Sequence, residues 1–333
     1  MRTQPLLLAG LSLCCSVHLL AQGTTARPGP LDDSIARQLA AIPAELYLAD
    51  SSLRIVNVYK GEASTILELR THEPSAIVEA LVLRVYQPYA SFWRGYLGDE
   101  ARFREWAATS LLAPDHPIHS RLAGLVNLKL DSLFTASTAW LVRMTGRRPR
   151  GTWYIVFGPG WTDMGGFTDG TMVADFTKMD PDPKSLEFKF PHELTHMVQG
   201  ARNAPRTDPD TGTVLSRMVS EGLACYATYA YAAGRLTPAQ SVGYTAAEWA
   251  WAITHERDLV VAARPFLHSR ERPQLDRFAA RNQQLVDSGP AAVGYFLGFR
   301  IMQAYVAQHG PTSWTDVIDL PAQGVLSRSG YKF

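Results

Sequence analysis

Pro191-His192-Glu193-Leu194-Thr195-His196 is the stretch of this sequence that most constrains its structure, because it places two histidines four residues apart. On a helix, four residues advance by about 400°, so both imidazoles lie on one face, one turn apart. Two neutral imidazole nitrogens in that position can bind one Zn²⁺ ion at about 2.0–2.1 Å, with Glu193 beside a metal-bound water. The alternative is a surface helix that carries these residues by coincidence. The sequence therefore predicts a metal-binding helix with His192 and His196 as ligands.

A two-histidine site needs a third protein ligand, and the sequence offers a glutamate on a second predicted helix. Glu221 follows His196 with 24 residues between them, and it lies in the mainly apolar segment Met218–Ala227. A lone carboxylate on a buried helix is costly unless it is paired or bound to a metal. Glu221 could instead pair with Arg217, one turn earlier on the same helix. We expect Glu221 to be the third ligand.

Residues 150–306 resemble an uncharacterised family of predicted zinc-dependent proteases of gluzincin type, in which a downstream helix supplies a glutamate ligand. The resemblance rests on the two histidines, on Ser220-Glu221-Gly222-Leu223-Ala224 and on the segment Gly294–Arg300. One difference is Cys225, because many gluzincins have an acidic residue there that orients a ligating histidine. The resemblance implies a zincin-like catalytic domain with Zn²⁺ as the cofactor. The implied ligands are His192, His196 and Glu221.

The same resemblance implies hydrolysis of peptide bonds in a peptide or protein substrate. Glu193 would act as general base towards a zinc-bound water. Tyr295 is the candidate for stabilising the oxyanion, and Tyr244, His255 and Arg300 are its competitors. Two other functions stay open: a catalytically inactive zinc-binding envelope or scaffold protein, and a zinc hydrolase of non-peptide amides. Glu193 favours an enzyme, because a closed structural site does not need a base.

The N-terminus is typical of a secretory signal peptide. A short positive region precedes the almost wholly apolar residues 6–20, and Ala21-Gln22 is a suitable cleavage point. Cys14 and Cys15 suggest a lipoprotein, but Leu13 stands where a small residue would precede a lipidated Cys14. An uncleaved membrane anchor is a further alternative. We expect an exported protein, periplasmic or secreted, with lipidation second to simple secretion and membrane association only through the N-terminus.

Composition and charge limit the class of protein further. The 333 residues are 46% hydrophobic and 19% charged, which is ordinary for a globular protein large enough to bury a core. The formal charge of +1 argues neither for a nucleic-acid partner nor for binding to an acidic membrane surface, and we expect no nucleic-acid partner. Asp115-His116-Pro117-Ile118-His119 could bind a second metal ion, but its proline favours a solvated turn.

The spacing of apolar residues predicts an α+β fold that is mainly helical. The N-terminal part reads as helical, whereas residues 152–158 are β-branched and aromatic and predict a buried strand. Residues 165–176 predict a turn and a second strand, and 186–190 alternate as a short extended lead-in to Pro191. These elements place a small sheet ahead of the metal-binding helix. The predicted domains are 1–21 (signal peptide), 31–150 (mainly helical) and 151–333 (zincin-like metallopeptidase).

Overall fold

The computed structural model describes residues 33–49, 51–167, 169–200 and 210–333. They divide into two units, of which the first contains residues 33–133 and 151–186 and the second contains residues 134–150 and 187–333. The predicted signal peptide, with both of its cysteines, lies outside the described residues. The predicted domain boundary at residue 150 stays a prediction.

The chain is mainly helical with one small mixed sheet, as the sequence predicts. The α-helices are α1 (Asp33–Ala41), α2 (Val58–Glu68), α3 (Pro74–Leu81), α4 (Ala90–Tyr96), α5 (Glu100–Trp106), α6 (Ile118–Asn127), α7 (Leu130–Thr145), α8 (Pro183–Gly200), α9 (Val214–Ala232), α10 (Pro238–Ser241), α11 (Ala246–Thr254), α12 (Glu256–Ala263), α13 (Arg272–Ala279), α14 (Val293–His309) and α15 (Ala322–Ser329). The strands are β1 (Glu45–Leu48), β2 (Leu53–Asn57), β3 (Gly151–Val156), β4 (Met164–Gly166) and β5 (Thr171–Asp175). Short π-helical turns (Val82–Tyr86, Ala107–Leu111) and 3₁₀ turns (Gln87–Tyr89, Arg264–Phe266, Ser313–Asp319) connect several helices. None of the helices in the described ranges is long and apolar enough to cross a membrane.

The first unit is built around the sheet, whose strand order is β1-β2-β3-β5-β4. The three inner strands are parallel, and β1 and β4 run antiparallel at the two edges. The central strand β3 is buried from Trp153 to Val156, as expected for a parallel strand that is covered on both faces. Strands β1 and β2 lie in the part that was predicted to be mainly helical. Their sequences are short, and β2 pairs with residues roughly a hundred positions later, so local patterns do not reveal them.

One buried carboxylate of the first unit holds the loop that follows β3. Asp175, the last residue of β5, accepts hydrogen bonds from the backbone N–H groups of Gly158, Gly160 and Thr177 at 2.8–2.9 Å. It also accepts one from the hydroxyl of Tyr96 at 2.7 Å. Its side chain is fully buried, and burial raises its pKa although all four bonds oppose that change. The acid therefore fixes the loop to the end of the neighbouring strand.

A second buried acid lies close to this loop. Glu62, on α2, is fully buried, and its Oε2 accepts a hydrogen bond from the backbone N–H of Phe157 at 2.9 Å. Its Oε1 has no hydrogen-bond partner among the described residues. Burial raises the pKa of Glu62 well above its ordinary value, and the Asp175 charge raises it further. Burial therefore favours the neutral form of Glu62 inside the first unit.

The segment Asp115–His119 begins as a turn with Asp115 exposed, as the sequence predicts, but its His116 is buried. His116 is 5% exposed, and its Nδ1 accepts a hydrogen bond from the backbone N–H of Ile118 at 3.2 Å. Its ring meets the edge of Phe157, with the ring centroids 6.5 Å apart. Burial lowers the pKa of His116 to about 4, because it disfavours the charged imidazolium.

In the second unit, α9 and α14 cross with their backbones in contact. A Cβ atom added to Gly222 would lie 2.1 Å from the carbonyl carbon of Gly298, and one added to Gly298 would lie 1.9 Å from the carbonyl oxygen of Met218. No residue other than glycine fits at these two positions without a shift of one helix. The crossing fixes the part of α9 that carries Glu221.

Helix α8 begins earlier than the sequence suggests, and the extended lead-in over residues 186–190 is wrong. Leu186, Phe190 and Leu194 are all fully buried. Their four-residue spacing places them on one face of a helix, although the alternation over residues 186–190 also fits a strand. Pro191 therefore lies inside the helix rather than in its first turn. The helix continues past it with one backbone N–H fewer.

Candidate metal centre

The structure brings the three predicted ligands together within the second unit. His192 and His196 lie on α8, one turn apart, and Glu221 lies on α9. The two Nε2 atoms are 3.3 Å apart, and Glu221 Oε2 lies 3.2 Å from the Nε2 of His192 and 3.3 Å from that of His196. His192 and Glu221 are buried, and His196 is about one fifth exposed. The three atoms form a nearly equilateral triangle.

The size of this triangle fits a tetrahedral zinc ion. With bonds of about 2.0–2.1 Å, the ligand atoms of a tetrahedral ion are about 3.3 Å from one another. Each of the three separations lies within about 0.2 Å of that edge length. Two imidazole nitrogens and one carboxylate oxygen are also a ligand set that zinc accepts. The donor atoms therefore fit the ion without rearrangement.

The outer nitrogens of the imidazoles support the same interpretation. His196 Nδ1 lies 3.1 Å from Gln199 Oε1 and 3.2 Å from Ser220 Oγ, which lie 3.1 Å from each other. A proton on Nδ1 satisfies the amide oxygen and leaves the Nε2 lone pair available to a metal ion. Gln199 and Ser220 were not predicted from the sequence. Gln199 has a positional signal, since it lies three residues after a ligand on the same helix.

The second imidazole has a weaker outer contact. His192 Nδ1 lies 3.9 Å from the sulfur of Cys225, the residue that differs from the acidic residue of many gluzincins. A thiol is a poor hydrogen-bond acceptor, so this contact orients the ring less firmly than a carboxylate would.

Arg217 was the alternative partner of Glu221, and the structure shows it in contact with the other carboxylate oxygen. Arg217 Nε lies 3.0 Å from Glu221 Oε1, one turn earlier on α9, while Oε2 faces the histidines. Burial alone would raise the pKa of Glu221. The charge of Arg217 and the contacts with His196 and His192 outweigh burial and hold that pKa well below its ordinary value. Glu221 is therefore a carboxylate at neutral pH.

The two residues with predicted catalytic roles are buried near the cluster. Glu193 is fully buried on α8. Tyr295, on α14, is also fully buried, and its ring lies nearly parallel to that of His192 with the centroids 6.3 Å apart. The guanidinium of Arg281 lies over the Tyr295 ring, 4.6 Å from its centroid. Neither position tests a catalytic role.

The three competitors of Tyr295 are bonded elsewhere in the second unit. The hydroxyl of Tyr244 donates to the carbonyl oxygen of Ala291 at 2.8 Å. His255 Nδ1 lies 2.9 Å from the carbonyl oxygen of Trp251, and Arg300 Nε donates to Glu256 at 2.8 Å. Each of these side chains has a structural contact that accounts for its position.

Comparison with known proteins gives a family match. A family model named GldB_lipo and described as "Gliding motility protein GldB" matches residues 188–333. The matched part is less than half of the chain, and it contains all three candidate ligands. No curated protein and no solved structure matches the chain significantly.

This match overturns the resemblance to zinc-dependent proteases and the function drawn from it. The matching family is one of gliding motility lipoproteins, so the assignment as a zinc metallopeptidase, a hydrolase of gluzincin type, is wrong. The error has a physical basis, because a His-Glu-x-x-His string specifies ligand geometry on a helix and does not by itself specify chemistry. The alternative of a zinc hydrolase of non-peptide amides is contradicted by the same match. The catalytic roles of Glu193 and Tyr295 stay untested.

The family also bears on the location of the protein. Its lipoprotein character is consistent with an exported, membrane-associated chain. It does not support the preference for simple secretion over lipidation. That preference relied on one residue, Leu13, in front of Cys14.

Proposed function

We propose that this protein is an exported, membrane-associated component of a gliding-motility apparatus whose second unit binds one Zn²⁺ ion without catalysing a reaction. The motility role is supported by the similarity of residues 188–333 to the gliding motility family. The metal role is supported by the triangle of donor atoms at 3.2–3.3 Å, which is the single observation that carries it.

The ion would act as a tie between two helices. It takes two ligands from α8 and one from α9, and the chain between these helices includes residues 201–209. Metal binding to the folded state adds its binding free energy to folding. The zincin-like arrangement of the two helices is thus proposed as a structural motif, separate from catalysis.

Metal analysis of the purified mature chain tests the site. We expect one zinc per wild-type chain, and well below one in Glu221→Gln and in His192→Asn. His255→Asn is a matched control, because His255 lies in the same unit and bonds a backbone carbonyl. It should keep one zinc. Equal zinc content in all four proteins, or none in the wild type, would refute the assignment.

A complementation experiment tests the motility role and its independence from catalysis. We expect deletion of the gene from its source cell to abolish spreading over a surface. The wild type and Glu193→Gln should both restore spreading, and Glu221→Gln should not. Normal spreading of the deletion strain would contradict the motility proposal. Failure of Glu193→Gln, produced at normal level and with full zinc content, would contradict a non-catalytic site.

A further inference from the structure

Glu221 presents its two carboxylate oxygens to two different partners. Oε1 lies 3.0 Å from Arg217 Nε, and Oε2 faces the two histidines at 3.2 and 3.3 Å. We infer that Arg217 is a built-in counter-ion that takes over the neutralising role of the metal when the metal leaves, so that the site exchanges metal without unfolding. This inference rests on the zinc site proposed above.

The backbone holds Arg217 in this position whether or not a metal is bound. Arg217 and Glu221 are one turn apart on α9, so their side chains share a helix face. The helix begins at a cap, where the hydroxyl of Thr213 accepts a hydrogen bond from the N–H of Ser216 at 3.1 Å. The close crossing with α14 at Gly222 fixes it just beyond the glutamate. The ion pair is therefore part of the helix and does not depend on the ion.

The burial of Glu221 makes a counter-ion necessary. Its side chain is 2% exposed, and a buried carboxylate without a positive neighbour is strongly unfavourable. Arg217 Nε supplies a positive neighbour at 3.0 Å from Oε1. In the metal-free site Arg217 compensates this carboxylate, whereas in the loaded site Arg217 and a divalent cation compensate it together. The two cations then repel each other across the carboxylate.

This arrangement leads to an unusual expectation for metal affinity. Loss of the Arg217 charge should destabilise the metal-free protein more than the zinc-bound protein. Because both forms share one unfolded state, the difference must appear as tighter zinc binding. Breaking a buried ion pair costs enough to predict about a ten- to a hundredfold lower Kd for Zn²⁺. A purely positioning role for Arg217 predicts the opposite, since a misplaced Glu221 would bind zinc more weakly.

The experiment measures Zn²⁺ affinity by competition with a chromophoric chelator, and the melting temperature with and without zinc, on the full mature chain. Arg217→Met keeps most of the side-chain volume and removes the charge. We expect tighter zinc binding and a larger loss of melting temperature without zinc than with it. Arg300→Met is the matched control, because Arg300 pairs with Glu256 at 2.8 Å with a similar side-chain exposure of 31%. It should lower both melting temperatures equally and leave the affinity unchanged.

The outcomes separate this inference from the proposed function. A wild-type chain that binds no zinc contradicts the proposed function itself. A wild-type chain that binds zinc, together with unchanged or weaker binding by Arg217→Met, overturns the counter-ion role alone. If Arg217→Met folds only with zinc present, that result supports the inference. If it does not fold at all, Arg217→Gln decides, because it keeps an N–H donor without charge and should still bind zinc at least tenfold more tightly than wild type.

Discussion

Replacement of Glu62 by glutamine should change how the stability of the protein depends on pH. Glu62 is fully buried in the first unit, and its Oε1 has no hydrogen-bond partner among the described residues. Burial raises its folded-state pKa well above the ordinary value of 4.5, and the nearby Asp175 adds to this. The folded protein therefore retains a proton that the unfolded chain releases above pH 4.5.

The sign and size of the effect follow from proton linkage. A raised folded-state pKa contributes stability that is fully present below pH 4.5 and is lost as pH rises towards the folded-state pKa. In that window the folded state holds one proton more than the unfolded state. The free energy of unfolding then falls by about 1.4 kcal/mol per pH unit, or about 2.7 kcal/mol over two units. Glu62→Gln carries no titrating proton, so its pH slope should be smaller by that amount.

Urea unfolding followed by tryptophan fluorescence at pH 5, 6 and 7 measures this slope. The control is Glu68→Gln on the same helix, since the Glu68 side chain is 57% exposed and paired with Arg84. The free energy of unfolding of the control should decline with pH as steeply as that of wild type. The free energy of unfolding of Glu62→Gln should be closer to that of wild type at pH 5 than at pH 7, because the wild type loses stability over this range and Glu62→Gln loses less. Parallel curves for wild type and Glu62→Gln would show that Glu62 does not hold a proton in the folded state.

Three further predictions concern other parts of the chain. Burial lowers the pKa of His116 to about 4, so the free energy of unfolding of the wild type should fall as pH falls from 6.5 towards 4. In urea titrations over this range, the free energy of unfolding of His116→Gln should fall less. Gly298→Ala should lower the free energy of unfolding by about 3 kcal/mol or more, because its Cβ would overlap the carbonyl oxygen of Met218. Gly95→Ala is the control and should not lower this free energy, because a Cβ added there meets no atom within 4 Å. Palmitate labelling of the source cell should be lost in the Cys14→Ser, Cys15→Ser double variant, and continued labelling would place any lipid elsewhere.

The local geometry of the site was predictable because it depends on short sequence distances. Two histidines four residues apart share a face on any helix, and Glu221 stood out as a charge within an apolar helix. The contacts of Gln199 and Ser220 with His196 Nδ1 were not predicted, because polar residues near such a motif are common and most of them do not contact it. The functional class was not predictable from these residues, because histidine and glutamate side chains serve structural and catalytic metal sites alike.

The sheet and the start of α8 show a different limit. Strand β2 is recognisable only through its pairing with β3, and that pairing joins Leu53 to Gly151. Leu186, Phe188 and Phe190 fit the two-residue period of a strand, whereas Leu186 and Phe190 also fit the four-residue spacing of a helix. The burial of Leu186 and Phe190 in the structure follows the helix spacing. Long-range pairing and short ambiguous segments are thus the features that the sequence alone left undetermined.

The parallel register of β2 and β3 also has a consequence for the order in which the chain acquires structure. Strand β2 cannot complete its hydrogen bonds until residues 151–155 have emerged from the ribosome or the export channel. Closing such a long loop is slow compared with helix formation, so the helices should precede the sheet. During that interval the hairpin of β1 and β2 has an open edge, which is a site for aggregation.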